Sequence, residues 1–204
     1  ASGCTVVFEY APATTGLQAD TIDFQYNNGS ATVNATRAIQ GTGSAAASLT
    51  ISETDPYDFG SVTVNGQETH TFTITNTGGV SATSVGGSGL TAPFTFFGGS
   101  FPGTGGTCGG TIGAGSNCNV VVAYNPTVTG TLSDTFDINF FDGAAAGTSS
   151  RDVQGTGIAP ATITISESDP YDFGLIAAGG TTTHTFTLTN SGASAASALS
   201  EVGL

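Results

Sequence analysis

The segment ISETDPYDFG, Ile51–Gly60, recurs as ISESDPYDFG, Ile165–Gly174, with Thr54 replaced by Ser168. The offset of 114 residues holds along the whole chain without a gap. It carries Cys4 onto Cys118, Tyr10 onto Tyr124 and Arg37 onto Arg151. It carries QGTG at Gln40–Gly43 onto QGTG at Gln154–Gly157, and HTFTITN from His70 onto HTFTLTN from His184. So long a period exceeds that of short solenoids and gives each repeat room for its own core. Residues 44–157 form one complete repeat, 1–43 correspond to the closing part of a repeat, and 158–204 to the opening part. A sequence that starts and stops in mid-repeat reads as a fragment of, or a window on, a longer repetitive protein.

The chain holds 15 acidic residues against two basic ones, Arg37 and Arg151, for a net charge of −13. That balance argues against nucleic acid and anionic membrane surfaces, which call for clustered Lys and Arg. Only 8% of residues are charged, so solubility rests on Thr, Ser, Asn and Gly, while 38% hydrophobic content with 13 Phe supports a folded core. No apolar run approaches the ~20 residues of a membrane helix.

Alternation of period two runs through the repeat. Leu49 and Ile51 face one way, Thr50 and Ser52 the other. Phe72 and Ile74 alternate with Thr71, Thr73 and Thr75, and Leu132, Phe136, Ile138 and Phe140 share one parity. Such patterning, rich in Thr and Val and punctuated by Gly, Asn and Pro, predicts short antiparallel strands. One buried and one solvated face per strand predicts two packed sheets, an immunoglobulin-like sandwich of about seven to nine strands. The fold expected is therefore all-β: tandem immunoglobulin-like β-sandwich repeats, one complete and two partial.

Three cysteines are present. Cys108 and Cys118 flank the Gly-rich loop GGTIGAGSN, flexible enough for them to pair, which leaves Cys4 unpaired by truncation. A disulfide implies an oxidising, extracellular compartment. No neighbouring His or further Cys completes a zinc set.

Two stretches carry a family resemblance. PYDFGSVTVNGQETHTFTITNTGGVSATSV, Pro56–Val85, resembles the opening half of the immunoglobulin-like domains shared by Hydin and the abnormal-spindle protein. CNVVVAYNPTVTGTLSDTFDINF, Cys118–Phe140, with VQGTG at Val153–Gly157, resembles the bacterial choice-of-anchor D repeats. The resemblance implies the sandwich fold. For disulfide-bearing members it implies extracellular, surface-associated or filament-forming bacterial proteins. Other members are cytoplasmic, in cilia and centrosomes.

Two readings compete for the repeated DPYDFG. Glu53, Asp55 and Asp58 offer three carboxylates to a Ca²⁺ ion, which needs several oxygen ligands. Alternatively Asp55, Pro56 and Asp58, with their copies Asp169, Pro170 and Asp172, make a structural turn that delivers Tyr57 and Phe59 to the core. The stretch lacks the DxDxDG spacing of a calcium loop, so the turn is expected, with no metal or cofactor. His70 and His184, in register with Phe72 and Phe186, read as structural, with no partner set evident. Arg37 and Arg151 read as clamps seeking a carboxylate, near Asp152 or at Glu53. The NGS at Asn28 and NAT at Asn34 match the glycosylation pattern but are not reproduced one period on.

No GxSxG, HExxH or phosphate loop is present, so an enzyme is not expected. A fibre, stalk or surface filament needs only rigid domains in series, and the short linkers GTGSAAAS and GTGIAPAT suit it. The alternative is an adhesin binding glycan or protein, for which Phe94, Phe96, Phe97 and Phe101 could supply an exposed cluster. Copies of the chain itself are the expected partners, joined end to end or continuous within a longer chain.

Overall fold

The computed structural model describes residues 3–202, and the fold is all-β. Among these residues no helix is long and apolar enough to cross a membrane. The complete repeat contains β3 (Leu49–Ile51), β4 (Tyr57–Thr63), β5 (Glu68–Asn76), β6 (Ala82–Ser88), β7 (Phe94–Phe96), β8 (Thr111–Ile112), β9 (Asn117–Tyr124), β10 (Gly130–Phe141) and β11 (Ala146–Ile158). One sheet has the order β4-β11-β10-β6-β8, the other β3-β5-β9-β7. All pairings are antiparallel except β4 with β11, the repeat's second strand lying beside its last.

The period-two pattern places the core between the sheets. Phe72 and Ile74 of β5, Val120, Val122 and Tyr124 of β9, and Phe136 and Ile138 of β10 are all buried. The residues between them build the outer surface as hydrogen-bonded rungs rather than ion pairs. Ser150 Oγ donates to Asp137 Oδ1 at 2.6 Å, and Thr148 Oγ1 to Asn139 Oδ1 at 2.9 Å. On β9 the alternation fails, because Val121 and Ala123 are buried as well. The Gly-rich segment bonds this strand's backbone: Phe97 N donates to Val121 O, Val121 N to Pro102 O and Thr107 N to Asn119 O, at 2.8–2.9 Å. Gly103, at φ +88°, sits so close to the Val121 carbonyl that a Cβ there would collide with it.

The flanking segments repeat this local structure in part. β1 (Gly16–Asn27) pairs with β2 (Thr32–Gly43) from Gly16↔Gly43 to Asn27↔Thr32, the register in which β10 pairs with β11 one period on. β12 (Ile163–Ile165) pairs with β13 (Leu188–Asn190) as β3 pairs with β5. The hairpin tips match as well. Asn28 Oδ1 accepts from Ser30 N and Ala31 N, as Asp142 Oδ1 does from Ala144 N and Ala145 N. Asn28 therefore has a turn-capping role.

Sequence identity does not make strands where the partner is missing. Residues 171–174 copy the start of β4 but lie outside any strand; β4 is held by β11, and among the described residues no equivalent of β11 stands beside them. Residues 4–10 copy all of β9 but its first residue and likewise form no strand. A strand is defined by the neighbour that satisfies its backbone.

Candidate functional site

The DPYDFG segment fastens β4 to β11. Asp55 Oδ1 accepts Asp152 N at 3.0 Å and lies 3.8 Å from Arg151 Nη1. Asp58 accepts Gly60 N on Oδ1 at 2.7 Å and the Gln154 amide on Oδ2 at 3.1 Å. The buried Arg151 guanidinium donates to the Ile51 carbonyl at 2.7 Å. Arg151 thus takes Asp55 as its carboxylate, not Glu53. Asp55 is half-exposed and the pair is long, so the bond to Ile51 is the stronger half of the clamp.

Glu53 turns elsewhere because its backbone is left-handed, at φ +74°. Its carboxylate lies 3.5 Å from His70 Nε2. His70 Nδ1 meets the Tyr57 hydroxyl at 2.8 Å, and the two rings stack with centroids 4.0 Å apart. His70 is thus hydrogen-bonded within the fold as a structural histidine, with Glu53 the carboxylate beside it. Burial, then the carboxylates of Glu53, Glu68 and Asp58, push the Tyr57 pKa up. The trio recurs one period on: Glu167 has φ +71°, its carboxylate lies 3.4 Å from His184 Nε2, and Tyr171 stacks on His184 at 4.2 Å. Glu53, Asp55 and Asp58 are thus drawn to three different partners. No group of three His, Cys, Asp or Glu side chains suited to a metal forms among the described residues.

The remaining candidates fall as follows. Cys108 and Cys118 are bonded, with Cα atoms 4.8 Å apart, and tie the Gly-rich segment to β9. Cys4 is free and exposed. Phe94 and Phe96 are buried, and Phe101 packs edge-on against Phe96 at 5.6 Å. Phe97 is half-buried and lies outside the core cluster, so three of the four aromatics belong to the core rather than to an exposed cluster. Asp172 repeats the cap on Gly174 N at 2.7 Å, while Asp169 has no ion pair and Arg37 none either among the described residues.

One structural residue carries no signal in the sequence. Asn76, wholly buried, accepts from Ser48 N and Gly78 N and donates to the Val80 and Ile112 carbonyls. Asn190 repeats three of these bonds, through Thr162 N, Gly192 N and Ser194 O.

Solved structures similar to this chain include the ASH / PapD-like domain 7 of human CEP192, at 15% identity over 56% of this chain and 88% of that one, TM-score 0.43. Another is the Vibrio cholerae VesB protease, at 21% identity over 53% of this chain and 31% of that one, TM-score 0.42. No curated protein sequence matches. Residues 50–156, just over half of the sequence and nearly the whole complete repeat, match the model of the HYDIN/CFA65/VesB-like, Ig-like domain. The chain belongs to that family of immunoglobulin-like domains.

Proposed function

We propose that the chain is a structural module of an extracellular bacterial fibre, stalk or surface filament, without catalytic activity. The observation that carries this reading is the junction between the complete repeat and the next. β11 ends at Ile158 and β12 begins at Ile163, so only residues 159–162 separate the two. The junction is also pinned from the side. Val64 N donates to the Ile158 carbonyl at 2.9 Å, and the hydroxyls of Thr63 and Ser194 meet at 2.8 Å. A short, laterally bonded connection resists bending, as a load-carrying series of domains requires. The Cys108–Cys118 bond supports an oxidising compartment.

The adhesin reading needs a recognition surface, and three of the four aromatics that could have formed one, Phe94, Phe96 and Phe101, belong to the core. Labelling of intact cells with an antibody to residues 44–157 tests the proposal, with labelling before permeabilisation as the expected result. Labelling only after permeabilisation contradicts the location. Saturable binding of the repeat on a glycan array favours the adhesin instead.

A further inference from the structure

Between residues 44 and 157 the complete repeat holds no Lys and a single Arg, Arg151. A protease selective for basic side chains therefore has one bond to attack there, between Arg151 and Asp152. Such an enzyme draws the whole basic side chain into its own specificity pocket and takes the flanking backbone as an extended segment. The fold denies it both. Arg151 is buried, with Nη2 donating to the Ile51 carbonyl at 2.7 Å and Nη1 lying 3.8 Å from Asp55 Oδ1. The amide of the same bond is taken as well, since Asp152 N donates to Asp55 Oδ1 at 3.0 Å.

The cover over this bond is uneven. On one side β10 pairs with the strand throughout, with Phe136 opposite Arg151. On the other side β4 joins only at Tyr57↔Val153, so residues 146–152 pair with β10 alone. What lies beside Arg151 and Asp152 there is the connection from β3 to β4, whose residues 53–56 are all exposed and outside any strand. The connection is anchored at both ends. Ser52 and Thr73 exchange two bonds, at 2.9 and 2.8 Å, and Asp58 accepts the Gln154 amide at 3.1 Å. Between those anchors Glu53 turns to His70, and Asp55 grips both the guanidinium and the amide.

We propose that the Arg151–Asp152 bond is a latent cleavage site for proteases of Arg specificity, and that residues 53–56 are the lid that closes it. When Asp55 lets go, residues 146–152 become a free sheet edge, already in the extended form that a protease binds. A short exposed connection opens more readily than the sandwich unfolds. Hydrolysis then adds water across the bond, leaving a carboxylate on Arg151 and an amine on Asp152. The cut falls just before the junction at residues 159–162, so on the reading of the chain as a serial module it parts the series at the loosened repeat.

Trypsin digestion of the whole chain, followed by mass spectrometry of the peptides ending at Arg151, tests this. Cleavage after Arg37 leaves residues 44–157 whole and does not enter the count. The Arg151–Asp152 bond should survive in the folded chain long after it is cut in the urea-unfolded chain. Asp55→Ala should speed its cleavage about tenfold or more under native conditions. Chymotrypsin cleavage after the buried Phe136 reports opening of the whole sandwich, and Asp55→Ala should change it far less. Circular dichroism checks that the variant keeps its strands. Should it lose them, Asp55→Asn, which retains an acceptor for Asp152 N, replaces it with the same pair of readouts. Equally fast cleavage of the folded and unfolded wild type overturns the closed site. No acceleration, or equal acceleration after Arg151 and after Phe136, overturns the lid. None of these outcomes bears on the surface location, which cell labelling decides separately.

Discussion

Gly155 lies against the face of the Tyr124 ring, and a Cβ added there would fall 2.5 Å from Cε1 and 2.8 Å from Cδ1. The ring cannot retreat. Tyr124 is wholly buried, stacked on Phe94 at 4.7 Å and tilted against Phe59 at 5.9 Å. Gly155→Ala should therefore force β11 or the ring off its position, at the ~1–3 kcal/mol typical of overpacking a filled core. The molecule supplies its own control. Gly41 stands over Tyr10 in the same way, with an added Cβ 2.6 Å from the ring, but Tyr10 is 50% exposed and can swing outward. Gly41→Ala should then change stability by no more than ~0.5 kcal/mol, the range of surface substitutions. Urea denaturation of the whole chain followed by circular dichroism measures both. Equal costs for the two substitutions, or a negligible cost for Gly155→Ala, would refute the claim that the repeated QGTG motif exists to seat a buried tyrosine.

Arg151→Met removes a charge-assisted bond to the Ile51 carbonyl and should cost about 2 kcal/mol, while Asp55→Asn, at the exposed end of the clamp, should cost less than about 1 kcal/mol; the same urea assay ranks them, and the reverse order would contradict the geometry. Cys118→Ser opens the loop closed by the disulfide and should cost about 2–3 kcal/mol without changing the strand signature in the far-ultraviolet spectrum. Burial raises the pKa values of Tyr57 and Tyr124 above the ordinary 10.0. The folded chain then keeps protons that the unfolded chain releases, so stability is whole below pH ~10 and falls as pH rises through the folded-state values. An alkaline titration of tyrosinate absorbance should show two tyrosines ionising later in the folded than in the unfolded chain.

Strands such as β5 and β10 are legible in the sequence because their alternation is strict. Phe136, Ile138 and Phe140 announce a buried face, and Asp137 and Asn139 the solvent face, by their spacing alone. The repeat length is legible for the same reason, since an ungapped offset leaves no freedom in where the copies lie. The polar clasp is not legible. Its partners, Asp55 with Asp152 and Asp58 with Gln154, come from the two ends of the repeat, and only the parallel pairing of β4 with β11 brings them together. The trio around His70 is hidden by a backbone effect, because the left-handed turn at Glu53 aims that side chain at His70 instead of Arg151. Asn76 is hidden because a Thr-Asn-Thr-Gly-Gly stretch reads as an ordinary loop, although this Asn satisfies four backbone groups of the surrounding segments.

A surface stalk requires rigid domains in series, joined by connections too short and too well bonded to fold back. Small-angle X-ray scattering from one, two and three covalently linked copies of residues 44–157 tests that requirement most directly. The twelve-residue β10 spans the long axis of the sandwich, about 40 Å at ~3.3 Å per residue. The maximum dimension should therefore rise by roughly 40 Å with each added repeat. Increments that shrink as repeats are added, the mark of domains collapsing on one another or swinging on loose linkers, would contradict it.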